Sequence, residues 1–171
     1  AVNAVLLNFQ TFAAYGLDAF AHATEALAGS AAGARDREKF SAAVRATNLW
    51  AVIFSVGFAL VYAVFGGTLI DIITDIPEVR QEARAYLPWV IALPVVSVWS
   101  FQLDGIYLAA TRSADMRNAM MISAAVYTGA VFALLPLLGN HGLWLALMVL
   151  MVARTATLGW RYRRLVESIG G

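Results

Sequence analysis

An all-α integral membrane protein of about five transmembrane helices is the fold class that the sequence predicts, and three observations predict it. Hydrophobic residues make up 61% of the 171-residue chain and charged residues only 13%, where soluble domains have roughly 45–50% and about 25%. Mean hydropathy is +0.71. The apolar residues are gathered in long runs between short polar corners, each run close to the ~20 residues a helix needs to cross a bilayer. A soluble all-α bundle would have to be soluble without detergent, and this composition makes that a remote alternative.

The first span runs from about Val5 to Ala34 and closes on the charged cluster Arg35-Asp36-Arg37-Glu38-Lys39. The second runs from about Val44 to Phe65. Gly66-Gly67 and an acidic connection with Asp71, Asp75, Glu78 and Glu82 follow it. The third covers about Tyr86 to Ala110, and its approach carries helix-start signals: Asp75 as N-cap, Pro77 in the first turn and Glu78 at the capping-box position. Pro88 and Pro94 each remove a backbone donor and should bend or interrupt the outer half of this helix. The fourth span covers about Ala119 to Leu138, and after Gly139-Asn140-His141-Gly142 the fifth runs from Leu143 to about Trp160. The whole of 1–171 therefore reads as one partial transmembrane bundle.

Basic residues resist translocation and mark the cytoplasmic side. Arg35, Arg37, Lys39 and Arg45 flank the first connection, Arg112 and Arg117 the third, and Arg161, Arg163 and Arg164 the C-terminus. In an alternating five-helix path all of these lie on one side, which puts the N-terminus outside and the C-terminus in the cytoplasm. Tyr86, Trp89, Trp144 and Trp160 fall near span ends, where aromatic residues anchor helices at the interface. The C-terminal arginines are expected to set topology and to meet anionic lipid. The net charge of +1 gives no reason to expect a nucleic-acid partner. The chain opens Ala1-Val2-Asn3, with neither Met nor a basic region ahead of its apolar stretch, so it is expected to be part of a longer protein and not to begin with a signal peptide.

Ionisable groups at membrane depth are costly, on the order of 2.5–3.5 kcal/mol each, and tend to face a bundle interior or a wet cavity. Asp18, His22 and Glu25 follow i, i+4, i+7 spacing in the first span, within about 60° of one another on a helix. Thr11, Tyr15 and Gly29 share that stripe. In the third span Ser97, Ser100, Asp104, Tyr107 and Thr111 form a second stripe, from which Gln102 points away. If the two stripes face each other, Glu25 and Asp104 lie at similar depth with Asp18 about 10 Å further out, and together they line one polar cleft. The bland alternative is that these groups pair with each other or with backbone as packing features. For His22 the bland role, closing a hydrogen-bond network beside two acids, is the stronger reading, and for His141, in a Gly-flanked turn, it is plain solvent exposure.

Little points to an enzyme. There is no G-x-S-x-G elbow, HExxH pair or Gly-rich phosphate loop. The sequence has no cysteine, so disulfides, thiolate nucleophiles and thiolate metal sites are out of reach. No metal site and no cofactor are expected.

Three segments resemble one transporter family. Ala21-His22-Ala23-Thr24-Glu25-Ala26-Leu27-Ala28-Gly29-Ser30-Ala31-Ala32-Gly33-Ala34-Arg35-Asp36 is similar to the second helix of a half in multidrug and toxic compound extrusion (MATE) transporters. Thr74-Asp75-Ile76-Pro77-Glu78-Val79, continuing through Tyr86-Leu87-Pro88, resembles that family's outer loop and next helix. Gln102-Leu103-Asp104-Gly105-Ile106-Tyr107, with Ala110-Thr111-Arg112-Ser113-Ala114-Asp115-Met116-Arg117-Asn118, is similar to the DinF-like branch. The resemblance implies the second six-helix bundle of a twelve-helix protein, without most of its first helix. It implies exchange of an outgoing small organic, often cationic, substrate for incoming protons or sodium ions in the cell (inner or plasma) membrane, with the N-terminal six-helix bundle as partner. Asp104 matches the acidic position on the family's tenth helix that helps bind the coupling cation in some branches. The partner acid on the seventh helix has no counterpart here, and in the DinF-like branch the main coupling aspartate lies in the first bundle. Asp18, His22 and Glu25 match no family motif.

The expected site is therefore a cation-coupling or substrate cavity built from Asp104, Glu25, Asp18, His22, Tyr107 and Ser100. Two other functions compete with it. A lipid-precursor flippase of the same broad superfamily would show a more cationic cavity. A non-transporting scaffold would use its polar stripes, and small residues such as Ala28, Gly29, Ala32 and Gly33, for helix assembly.

Overall fold

The structure is a computed structural model and describes residues 1–169. Its elements are α1 (Val2–Gly33), α2 (Arg37–Ile73), α3 (Pro77–Ala109), α4 (Ser113–Leu138) and α5 (Asn140–Glu167). Helices α2 to α5 are long and apolar enough to cross a membrane. Five such spans were expected. Helix α1, with 32 residues, has the length, but Asn3, Asn8, Gln10, Asp18, His22 and Glu25 along it dilute its apolar character.

Helix α3 is the centre of the bundle. Helix α1 packs along one side of it, α2 seals the groove between them, and α5 lies against another side of α3 with α4 on its flank. The pattern follows from the sequence of α1: Leu6, Phe9, Ala13, Leu17, Ala21, Thr24, Ala28 and Ala31 recur at helical spacing and are all buried. One apolar cluster near the end that holds the start of α1 joins Leu6, Phe9, Tyr62, Val90 and Trp144, and another near the opposite end joins Phe40, Tyr107, Leu158 and Leu165. Helix α4 buries only Ala119 and Ser123.

Several helix ends differ from the sequence expectation, each for a local reason. Helix α2 does not stop at Gly66-Gly67 but continues to Ile73. Gly66 serves close packing instead, since a Cβ there would stand 2.8 Å from a methyl of Leu87 on α3. Asp75 does not cap α3. The N-cap is Ile76, without a side-chain cap bond, and Pro77 opens the helix. Asp75 pairs with Arg80 at 3.2 Å. Arg80 in turn caps α2, donating from Nε to the Thr74 carbonyl at 2.7 Å and from Nη2 to the Asp71 carbonyl at 2.8 Å, so a guanidinium satisfies carbonyls that the helix end leaves without partners. Neither Pro88 nor Pro94 interrupts α3. Helix α4 starts earlier than expected, at Ser113, and α5 runs from Asn140 to Glu167, so the turn between them narrows to Gly139 at φ 56.

Ion pairs close both ends of the bundle. At one end Arg161 of α5 and Arg112 of the α3–α4 corner both bind the Asp115 carboxylate, at 2.9 and 3.0 Å, and Asp36 caps α2 by accepting from the Lys39 amide at 2.9 Å. At the other end Asp71 accepts from Arg84 at 2.6 Å, and Asn3, Asn140 and Trp144 form a neutral hydrogen-bond cluster. His141 is exposed as expected, yet it also accepts from the Trp89 indole at 2.9 Å and packs on the Tyr86 ring.

Candidate functional site

The site begins with Asp104, about one turn and a half before the C-terminal end of α3. Its residue is 9% exposed, and the Arg154 guanidinium of α5 donates from Nη2 to its Oδ2. A carboxylate buried this far is tolerable only with a counter-charge, because attraction in a low-dielectric interior must offset two lost hydration shells. Three polar atoms around the pair are buried without a protein partner: Asp104 Oδ1, Arg154 Nε and the hydroxyl of Ser100. Ser100 lies four residues before Asp104, so the two occupy one face of α3.

Gly105 sets the approach of α1. A Cβ at this position would overlap the Ala21 carbonyl oxygen, so only glycine lets the two backbones touch here. Asp18 is one turn from Ala21 along α1. Asp18 itself is exposed on the described chain.

The six residues singled out in the sequence are not all gathered. Asp104 and Ser100 share the buried face of α3, whereas Asp18 is exposed. Tyr107 is fully buried, but its hydroxyl donates to the Leu158 carbonyl at 2.7 Å and so ties α3 to α5. His22 and Glu25 face outward, with side chains 74% and 44% exposed, and their closest polar contact is with each other at 3.5 Å. The stripes on α1 and α3 therefore do not line one cleft in these five helices. The physical reason is that α1 uses its small-residue face, Ala21, Thr24 and Ala28, against α3, which turns the ionisable stripe away.

Sequence reasoning missed Arg154 altogether, although a lone arginine inside the apolar run from Leu143 to Trp160 was a legible signal. It also undervalued Gln102. One end of the Gln102 carboxamide bonds the Thr24 hydroxyl at 2.8 Å, and the residue lines a crevice of about 250 Å³ with Asn48, Trp99, Thr155 and Tyr162. Among the described residues no group of three or more His, Cys, Asp and Glu side chains is placed to hold a metal ion.

Residues 1–135 match the MatE family model. The chain is 44% identical over 168 residues to the DNA damage-inducible protein F of Escherichia coli (strain K12), an alignment that covers 96% of this chain and 36% of that protein. The chain thus spans well under half the length of this curated relative. No solved structure is significantly similar to it.

Proposed function

The chain belongs to the MatE family, and on that premise we propose that it forms part of a cation-coupled efflux antiporter, exporting small organic, often cationic, compounds in exchange for protons or sodium ions. The multi-pass architecture and family membership establish a membrane protein of a transport family. The finer reading is supported by one observation above the others: a carboxylate, Asp104, is buried inside a membrane-crossing helix, paired with a single arginine and left with one oxygen unpartnered. Such a group can pass between a proton, a small cation and a cationic substrate, since each neutralises the same charge.

On this reading the basic end of the bundle is cytoplasmic, the membrane is the cell (inner or plasma) membrane, and the rest of the transporter covers the outward-facing stripe of Asp18, His22 and Glu25. The chemistry is transport and not catalysis. A flippase of lipid-linked precursors would want a cationic cavity. Arg154 adds one positive charge, and the Asp104 carboxylate offsets it.

The test is Asp104→Asn in the intact transporter, which keeps the shape and removes the charge. Drug resistance and substrate-driven ion movement in proteoliposomes should fall at least tenfold, as expected when a charged recognition group is lost, with membrane expression unchanged. Wild-type efflux by this variant would refute the assignment.

A further inference from the structure

Three polar atoms from three different helices are buried without a partner among the described residues, and their side chains line one crevice: Asn48 Oδ1 of α2, Gln102 Nε2 of α3 and the Thr155 hydroxyl of α5. Buried polar groups are nearly all hydrogen-bonded in folded proteins, so three orphans around one hollow call for a common cause. Gln102 is the strictest case. The residue is 1% exposed, and only one end of its carboxamide is engaged, by the Thr24 hydroxyl at 2.8 Å. By helical rise it lies about 10 Å inside the C-terminal end of α3, a helix long and apolar enough to cross a membrane. Two residues from Asp104, it occupies a different side of that helix. The crevice holds about 250 Å³, Trp99 and Tyr162 add aromatic surface to it, and no acid or base lines it. Arg154, next to Thr155 in the sequence, is engaged with Asp104.

We propose that this crevice is a binding site for a small uncharged aromatic amide, separate from Asp104. Asn48 Oδ1 can only accept, Gln102 Nε2 can only donate, and the Thr155 hydroxyl can do either. An amide carries a donor and an acceptor side by side and so answers all three, while its ring meets the apolar and aromatic lining of Trp99, Leu103 and Ile106. A charged group would enter without a counter-ion and lose its hydration. An apolar group would leave the three polar atoms unpaired, which is how a hydrogen-bonding site rejects analogues that lack the polar group. Trp99 is 45% exposed and Gly159 is exposed, so the crevice is open from the side of the bundle. Such a site works whether or not Asp104 carries the coupling ion.

The experiment measures binding to the intact transporter, purified in detergent, of three probes that share a ring and differ in charge: phenylacetamide, phenylacetate and phenethylamine. Titration calorimetry gives the affinities, and thermal unfolding without ligand gives the stability of each variant. Wild type should bind phenylacetamide more tightly than either charged probe by on the order of tenfold. Thr155→Val keeps the shape and removes only the hydroxyl. It should weaken phenylacetamide binding severalfold while the unfolding midpoint holds or rises, because the fold has no hydrogen bond at this hydroxyl to lose. Asn48→Leu repeats the test from α2, with the same expectation, should Thr155→Val fail to accumulate. Equal binding of the three probes, the result for a crevice that holds only water, overturns the proposal, as does wild-type affinity for phenylacetamide in either variant. A weakened affinity accompanied by a lowered midpoint in both variants also overturns it, since the polar atoms would then belong to the fold and not to a ligand. Ion-coupled export plays no part in these readings, so their failure leaves the role of Asp104 untouched.

Discussion

Asp36 shows how a single side chain fixes a corner of this bundle. It caps α2 by accepting from the Lys39 amide, and that hydrogen bond, followed by the Lys39 side chain 3.0 Å away, holds its carboxyl below the ordinary value of 3.8. A carboxylate whose folded value is depressed stabilises the fold fully above its unfolded value, and the effect is lost as pH falls through the lower, folded one. The Lys39 amide should therefore exchange more slowly in wild type than in Asp36→Ala at neutral pH, and the difference should vanish in acid well below 3.8. A protection ratio that stayed constant with pH would show that the carboxylate charge has no part in the cap. Asp36 was legible only as part of a charged cluster, because capping depends on where the chain turns and not on composition. Arg154 is the converse case: its position was plain in the sequence, but its partner lies fifty residues away on another helix.

Among the helices, glycine has two meanings that the sequence does not separate. Gly66 and Gly105 look like breaks in an apolar run, yet both sit inside continuous helices where a neighbour approaches closely. Gly129 on α4 has nothing within 4 Å of a Cβ position. Gly105→Ala should therefore push α1 from α3 and destabilise the protein by about 1–3 kcal/mol, the usual cost of overpacking. Gly129→Ala should be neutral or stabilising by roughly 0.5–1 kcal/mol through helix propensity. Thermal unfolding of the two variants in the same detergent measures the contrast, and equal midpoints would contradict the packing described for α1 and α3. The sequence misplaced the end of α2, the N-cap of α3 and the starts of α4 and α5, because apolar periodicity does not mark where a helix ends, and at the α2–α3 corner the Arg80–Asp75 ion pair fixes the geometry.

For the molecule as a whole, the proposed orientation follows from charge segregation. Arg112, Asp115 and Arg161 tie together the end that also carries Arg35, Arg37 and Lys39. Because basic residues near span ends resist translocation, green fluorescent protein fused after Gly171 should fluoresce in cells, and an alkaline phosphatase fusion there should stay inactive. The opposite pattern would reverse the topology and move the basic end outside. The large apolar side chains exposed around the bundle, among them Phe12, Phe132 and Trp160, fit a surface that meets lipid and further helices of the same transporter.

Composition and apolar run length were enough to determine a helical membrane protein, the order of its spans and the separation of its basic corners, because the bilayer imposes those demands on each segment independently of its neighbours. The segments similar to the MATE family added its identity. Which polar residues meet was decided only by tertiary packing. Helical spacing defines a face but not what lies opposite, and here the small-residue face of α1 claimed α3. That choice joined Asp104 to Arg154, engaged Tyr107 with the backbone of α5, and left His22 and Glu25 pointing away from the helices that bury Asp104.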